Sequence, residues 1–188
     1  MRIIAGKNKR TSLYSVPGDK TRPTTDFIRE LIFSVIQDCN DLDVLDLYAG
    51  SGSMGLEALS RGAAHATFVD VSERSIKTIN KNIAKLNCRD ISSVYKKRAS
   101  AYLKNFGKKH DLIFIDPPYD KNLINSTLEL ILENNVLNAN GMVVVEHSLR
   151  EEIDEKWASQ IIYQKRTGSC SISIFQDLIN KEEDNENI

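Results

Sequence analysis

From Asp43 onward, short apolar runs alternate with stretches whose apolar residues recur at three- and four-residue intervals. Val44-Leu45-Asp46-Leu47-Tyr48, Ala66-Thr67-Phe68-Val69-Asp70, Leu112-Ile113-Phe114-Ile115-Asp116 and Met142-Val143-Val144-Val145-Glu146 are nearly continuous, as strands buried on both faces are. Ser92 to Lys96 is a weaker run of the same kind. Between them the spacing predicts helices. One runs to about Arg61. A second is capped by Ser72 and carries Ile76, Ile79, Ile83 and Leu86 on one side. A third carries Ile124, Leu128, Ile131 and Leu132. After Trp157 the helices stop, and Ile161-Ile162-Tyr163 and Cys170 to Phe175 flank a Thr167-Gly168 turn as a closing hairpin. The expected fold is α/β: a doubly wound, mostly parallel seven-stranded sheet with one antiparallel strand.

Before Asp43 the pattern differs. Arg2-Ile3-Ile4-Ala5 and Thr11-Ser12-Leu13-Tyr14 can pair as a short β-hairpin arm around Gly6-Lys7-Asn8-Lys9. A threonine after Arg22-Pro23 can cap a helix with apolar residues at Ile28, Leu31, Ile32, Val35 and Ile36. No repeat and no Ser/Gly- or Pro-rich linker interrupts the chain. The expected organisation is an arm over 1–22, one domain over 23–178 and an acidic, flexible tail over 179–188.

The composition fits one globular domain. The chain has 188 residues, 41% hydrophobic and 27% charged, which excludes disorder, collagen-like repeats and a disulfide scaffold. No apolar run is long enough to span a bilayer, and the start of the chain has no secretory signal pattern. Cys39, Cys88 and Cys170 read as reduced thiols in a cytoplasmic protein, and His65, His110 and His147 lack the spacing of metal ligands. No metal and no membrane partner are expected.

The net charge of −1 conceals a lopsided distribution. Residues 1–30 carry seven basic side chains, Arg2, Lys7, Lys9, Arg10, Lys20, Arg22 and Arg29, against three acids. Residues 95–110 carry six and no acid, and the tail after Gln176 is acidic. Local basic patches create the field that attracts a polyanion. The first 30 residues are therefore expected to bind nucleic acid.

Gly50-Ser51-Gly52-Ser53-Met54-Gly55 follows a strand and opens a helix, and Asp70 ends the next strand 20 residues past Gly50. Such glycines admit a ligand close to the backbone, and the carboxylate can accept hydrogen bonds from ribose hydroxyls. Asp46 turns the reading away from a dinucleotide, because a buried acid beside the loop repels a pyrophosphate but not an ammonium. A ligand with an adenine, a ribose and a cationic amino-acid end fits: S-adenosylmethionine (SAM), leaving S-adenosylhomocysteine (SAH).

Asp116-Pro117-Pro118-Tyr119 follows the fourth strand, on the edge where parallel sheets bind ligands. The prolines stiffen the turn and remove donors, so that Asp116 and the Pro117 carbonyl present acceptors suited to an exocyclic amine. Tyr119 offers a ring face for a base.

In these features the chain resembles the class I SAM-dependent methyltransferases of Rossmann-like fold. Met1-Arg2-Ile3-Ile4-Ala5-Gly6, Arg22-Pro23-Thr24-Thr25-Asp26, Arg29-Glu30, Phe33, Gly62-Ala63, Val145-Glu146-His147 and the hairpin near Gly168 resemble the RsmD family in particular. The resemblance covers nearly all of the chain except the acidic tail. It implies a monomer that methylates the N2 amine of one guanine in 16S ribosomal RNA (rRNA) within the small ribosomal subunit. It implies catalysis at Asp116, Pro117, Pro118 and Tyr119. Cofactor contacts are expected from Asp46, Tyr48, Ala49, Gly50, Ser51, Gly52, Asp70, Val71 and Ala99, and RNA contacts from Arg2, Lys7, Lys9, Arg10, Arg22 and Thr24. Two positions depart from the family pattern. Phe27 stands where an arginine is usual. Arg98 stands where an acid is usual, and it has no acceptor for the adenine amine.

Three other readings share parts of this pattern. An NAD(P)-dependent oxidoreductase uses the glycine loop and Asp70 but neither Asp46 nor the Asp116 corner. A non-catalytic RNA-binding factor leaves the corner idle. Methylation of a DNA or protein amine keeps the chemistry and changes the substrate, so only the arm separates it from rRNA methylation.

Overall fold

The computed structural model describes residues 1–18, 26–105, 108–119, 121–168 and 170–178. The expected threonine cap, Arg22, Thr24 and the tail over 179–188 lie outside them. Seven strands form one sheet: β1 (Asp43–Leu47), β2 (His65–Asp70), β3 (Ser92–Lys96), β4 (His110–Ile115), β5 (Leu137–Ser148), β6 (Ile161–Thr167) and β7 (Cys170–Gln176). Five helices accompany them: α1 (Asp26–Ile36), α2 (Ser53–Ser60), α3 (Glu73–Lys85), α4 (Ala99–Asn105) and α5 (Ile124–Glu133). The strand order is β3-β2-β1-β4-β5-β7-β6. β1 pairs in parallel with both β2 and β4, and β7 runs antiparallel between β5 and β6. That is the expected mostly parallel sheet with one reversed strand.

The continuous apolar runs are explained by what covers each face. Val44, Leu112, Phe114 and Val144 point into a core shared with α1, α2 and α3. Leu45, Leu47, Ile113, Ile115, Val143 and Val145 point the other way, onto α4, α5 and Trp157. Successive strand residues thus enter opposite cores, and both cores need apolar side chains. Helix α4 is absent from the sequence expectation, because seven residues are too few to show a helical period. In α1, Phe33 and Arg29 are buried while Leu31 and Val35 are only half-buried. The helix is rotated relative to the purely apolar series because Arg29 has a partner inside.

The arm is built into the fold. Its two segments pair as expected around an antiparallel bridge, Arg2 to Ser12, with Ile3 N donating to Thr11 O at 2.9 Å, Arg10 N to Ile3 O at 2.9 Å and Leu13 N to Met1 O at 3.0 Å. The pairing goes no further toward Gly6, and the Ala5 amide is taken by α2. The fully buried Glu57 of α2 accepts from Ile4 N at 2.8 Å and Ala5 N at 3.0 Å, and from Arg61 Nε at 2.8 Å. Ser60 Oγ donates to the Ala5 carbonyl at 2.6 Å and accepts from Asn8 N at 3.0 Å. Gly6, at φ +78°, presses so closely on α2 that a Cβ there would lie 1.7 Å from the Ser60 carbonyl oxygen. Arg29, without exposed surface, donates through Nη2 to the Arg2 carbonyl and to Asp26, each at 2.6 Å. Arg29 therefore does not belong to the exposed basic field that the charge count suggests.

Glu57→Gln should loosen this docking, because an amide presents an N–H where two backbone N–H groups need an acceptor. Denaturant unfolding should show a loss of about 3 kcal/mol, the scale for breaking a buried charged hydrogen-bond network. An unchanged midpoint would show that the arm adds nothing to stability.

Candidate active site

The carboxyl ends of β1, β2 and β4 open on one cavity of about 1010 Å3. The chain turns sharply out of β1. Tyr48, Gly50 and Gly52 all take positive φ, at 58°, 55° and 78°. A tyrosine in that region is strained, and here its hydroxyl is fixed against Thr127 Oγ1 of α5 at 3.0 Å. At Gly55 it is contact that excludes a side chain: a Cβ would lie 2.5 Å from Phe68 Cε1 on β2. The glycine loop is thus pressed onto the sheet, and Gly52 N closes a turn on the Ala49 carbonyl at 2.6 Å.

Asp70 ends β2 beside this loop. Its two oxygens accept from Gly50 N at 2.9 Å and Ser72 N at 2.7 Å. Each carboxylate oxygen has a second lone pair, so the group is held in place and can still accept from a ligand. Val71, 59% exposed, gives the cavity an apolar wall. Beside it Lys97, Arg98, Ala99 and Ser100 line the side where α4 begins, and the Lys97 amide donates to the Asp70 carbonyl at 3.1 Å. Asp116, Pro117, Pro118 and Tyr119 form the opposite wall after β4. Tyr119 is 44% exposed, and its hydroxyl donates to Glu146 Oε1 of β5 at 3.4 Å. Burial, then the charges of Glu146 and Asp116, push its hydroxyl well above the usual tyrosine range, so it stays a donor.

The cavity brings together Tyr48, Ala49, Gly50, Ser51, Asp70, Val71, Ala99 and the whole Asp116 to Tyr119 corner. Asp46 and Gly52 stand behind its lining. Asp46 is 3% exposed and accepts from Gly55 N at 3.0 Å, which ties β1 to the first turn of α2. Its carboxyl supports the loop from below. Arg2, Lys7, Lys9 and Arg10 lie on the arm, away from the lining. Sequence reasoning missed Met1, Ser15 and Val16 of the arm and Thr127 and Leu130 of α5, all of which face the cavity. No spacing signals them, because they come from elements distant in sequence. Among the described residues no three His, Cys, Asp or Glu side chains gather as metal ligands, and no helix is long and apolar enough to cross a membrane.

Residues 1–176 match the family described as Conserved hypothetical protein 95. The chain belongs to this family, the RsmD family. Among relatives of this RsmD family chain, the Bacillus subtilis (strain 168) protein YlbH is 38% identical over 181 residues, covering 94% of this chain and 98% of its own. A Buchnera aphidicola (subsp. Baizongia pistaciae) protein named Ribosomal RNA small subunit methyltransferase D is 34% identical, covering 96% of this chain and 93% of its own. The solved structure of yhhF from Escherichia coli superimposes with a TM-score of 0.82 at 33% identity, covering 94% of this chain and 97% of that one. The sheet and its helices form the Rossmann-like methyltransferase fold.

Burial raises the Asp46 carboxyl from 3.8 to about 7, with a smaller contribution from the Asp70 charge and an opposing one from the Gly55 amide. The native state then holds this proton more tightly than the unfolded chain does. The stability that Asp46 contributes is complete below its unfolded value and is lost as pH rises through about 7. Asp46→Asn keeps an acceptor for Gly55 N–H and cannot titrate. Melting curves of wild type and variant should therefore diverge in the variant's favour between about pH 4 and pH 7, and curves parallel across that window would contradict the shift.

Proposed function

We propose that this protein transfers a methyl group from SAM to the N2 exocyclic amine of one guanine in 16S rRNA of the small ribosomal subunit. One observation carries the reading. A ribose-type acceptor, Asp70, and an amine-type acceptor corner, Asp116 to Tyr119, line a single cavity at the turning point of a methyltransferase sheet. The name of the Buchnera relative, which contains the rRNA substrate, supports the choice of RNA.

The cavity fits the cofactor in kind. Asp70, fixed by two backbone amides, would accept from the ribose hydroxyls, and Val71 would lie against the adenine. The Ala99 N–H would serve the adenine ring, and the loop from Tyr48 to Ser51 would hold the amino-acid end. Arg98 offers no acceptor to the adenine amine. The bound cofactor supplies an electrophilic methyl on a sulfonium.

The rest of the chemistry belongs to the corner. A guanine amine shares its lone pair with the ring. Asp116 and the Pro117 carbonyl would accept its two hydrogens and draw the pair out toward the incoming methyl. Pro118 keeps the turn stiff, and Tyr119, with its hydroxyl on Glu146, would stack on the base. The amine becomes acidic as the bond forms, and its proton leaves to Asp116 or to water. Positioning and charge account for such a step, and it calls on no metal. A paired guanine would leave its stack at a cost of a few kcal/mol, offset by contacts from Arg2, Lys7, Lys9 and Arg10 to the RNA backbone. Arg22 and Thr24 would extend that grip. The enzyme would work in the cytoplasm as a monomer.

The test uses labelled SAM and small subunits from a strain lacking this gene. N2-methylguanosine at one site is expected; label in protein or DNA alone would overturn the substrate. Asp116→Ala should lower transfer at least about a hundredfold, the scale of losing one electrostatic group at the reacting atom, with SAH binding nearly unchanged. A near-normal rate would remove Asp116 from the mechanism. Asp70→Asn should weaken SAH by about 1–3 kcal/mol in calorimetry, because an amide replaces a charged acceptor. Wild-type affinity in that variant would place the ribose elsewhere.

A further inference from the structure

The arm and the glycine loop meet at one side chain. Asn82 of α3 has no exposed surface, and its amide makes three hydrogen bonds. Oδ1 accepts from Tyr14 N at 2.8 Å, while Nδ2 donates to the Tyr14 carbonyl at 3.0 Å and to the Ser51 carbonyl at 2.9 Å. We propose that Asn82 is a positioning residue that joins the arm to the cofactor loop, making Ser15 and Val16, next to Tyr14, a wall of the cofactor cavity whose docking and cofactor binding reinforce each other. This rests on the cofactor reading above.

Four observations support it. Met1, Ser15 and Val16 line the same cavity as Gly50, Ser51 and Asp70. Consecutive loop residues are gripped from the two ends of one segment: Gly50 N by Asp70, just before α3, and the Ser51 carbonyl by Asn82, near its end. Two further contacts close the same seam. Ser51 Oγ lies 3.8 Å from Met1 Sδ, and Lys85 Nζ sits 4.7 Å over the Tyr14 ring. The chemistry also needs this residue type. Only a primary amide offers an acceptor and two donors in one plane, and here both functions are used. Leucine would fill the space and leave the Tyr14 N–H, the Tyr14 carbonyl and the Ser51 carbonyl without this partner. Aspartate would meet Tyr14 N but turn an anion toward two carbonyl oxygens.

The consequence is a coupling between ligands. The arm's cations Lys7, Lys9 and Arg10 sit on the hairpin whose far end is this wall. If SAH strengthens the seam, it also strengthens what holds the hairpin, and an RNA that grips the hairpin raises SAH affinity by the same factor.

The test is amide hydrogen exchange across residues 11–18 of the full chain, with and without saturating SAH, alongside SAH affinity by calorimetry. In wild type, SAH should slow exchange at Tyr14 about tenfold, within the usual range of coupling between sites. Asn82→Leu and Asn82→Asp should each lose that slowing and bind SAH about tenfold more weakly. A purely structural role for Asn82 would leave wild-type exchange independent of SAH. That result, with SAH bound, overturns the proposal whether or not the variants fold. If SAH does not bind wild type at all, the cofactor reading falls and this proposal falls with it.

Discussion

A parallel sheet has to be covered on both faces, and the chain can cover them only by leaving its strands in opposite directions. From β1 it passes over one face through α2 and proceeds outward to β2 and β3. From β4 it passes over the other face through α5 toward β5. Beside β1 and β4 the two connections diverge. The gap between them is the cavity. The glycine loop, Asp70 and the Asp116 corner meet there because each is the first segment after its strand, and the geometry of the sheet delivers those segments to one rim.

Three ionisable side chains with almost no exposed surface hold this arrangement, and each is tied to backbone. Glu57 satisfies two amides of the arm, Arg29 a carbonyl of the arm, and Asp46 an amide of α2. Desolvation works against the charged form of Asp46 and of Arg29, and the hydrogen bonds offset it only in part. Apolar contacts alone do not fix where a hairpin sits on a helix, because they lack direction. A carboxylate with two amides does.

The strands were legible because burial on both faces leaves a run that few other structures need. Ser92 to Lys96 was found even though it is polar, and the hairpin after Trp157 even though its strands are short. The loop and the corner were legible because glycine and proline restrict or free the backbone in ways that show in one dimension. The pairing of Arg29 with the Arg2 carbonyl is different in kind. Counted with the basic residues that precede it, Arg29 looks like part of a surface field, and the acids at Asp26 and Glu30 do not by themselves reveal that it points inward. Helix α4 is too short to declare a period. Met1, Ser15 and Val16 reach the cavity through a docking that depends on Asn82, 68 residues beyond Tyr14.

That separation bears on the order in which the molecule can assemble. The hairpin segments are local to each other and are joined by a few backbone hydrogen bonds. Their firm partners, Glu57 and Asn82, lie 53 and 68 residues along the chain from Ile4 and Tyr14. Loop closure over such distances is entropically unfavourable until the strands between have drawn the ends together. Seating of the arm is therefore expected late in folding. The arm comes earliest in the chain and is seated only after β1, α2, β2 and α3 have formed the surface that receives it.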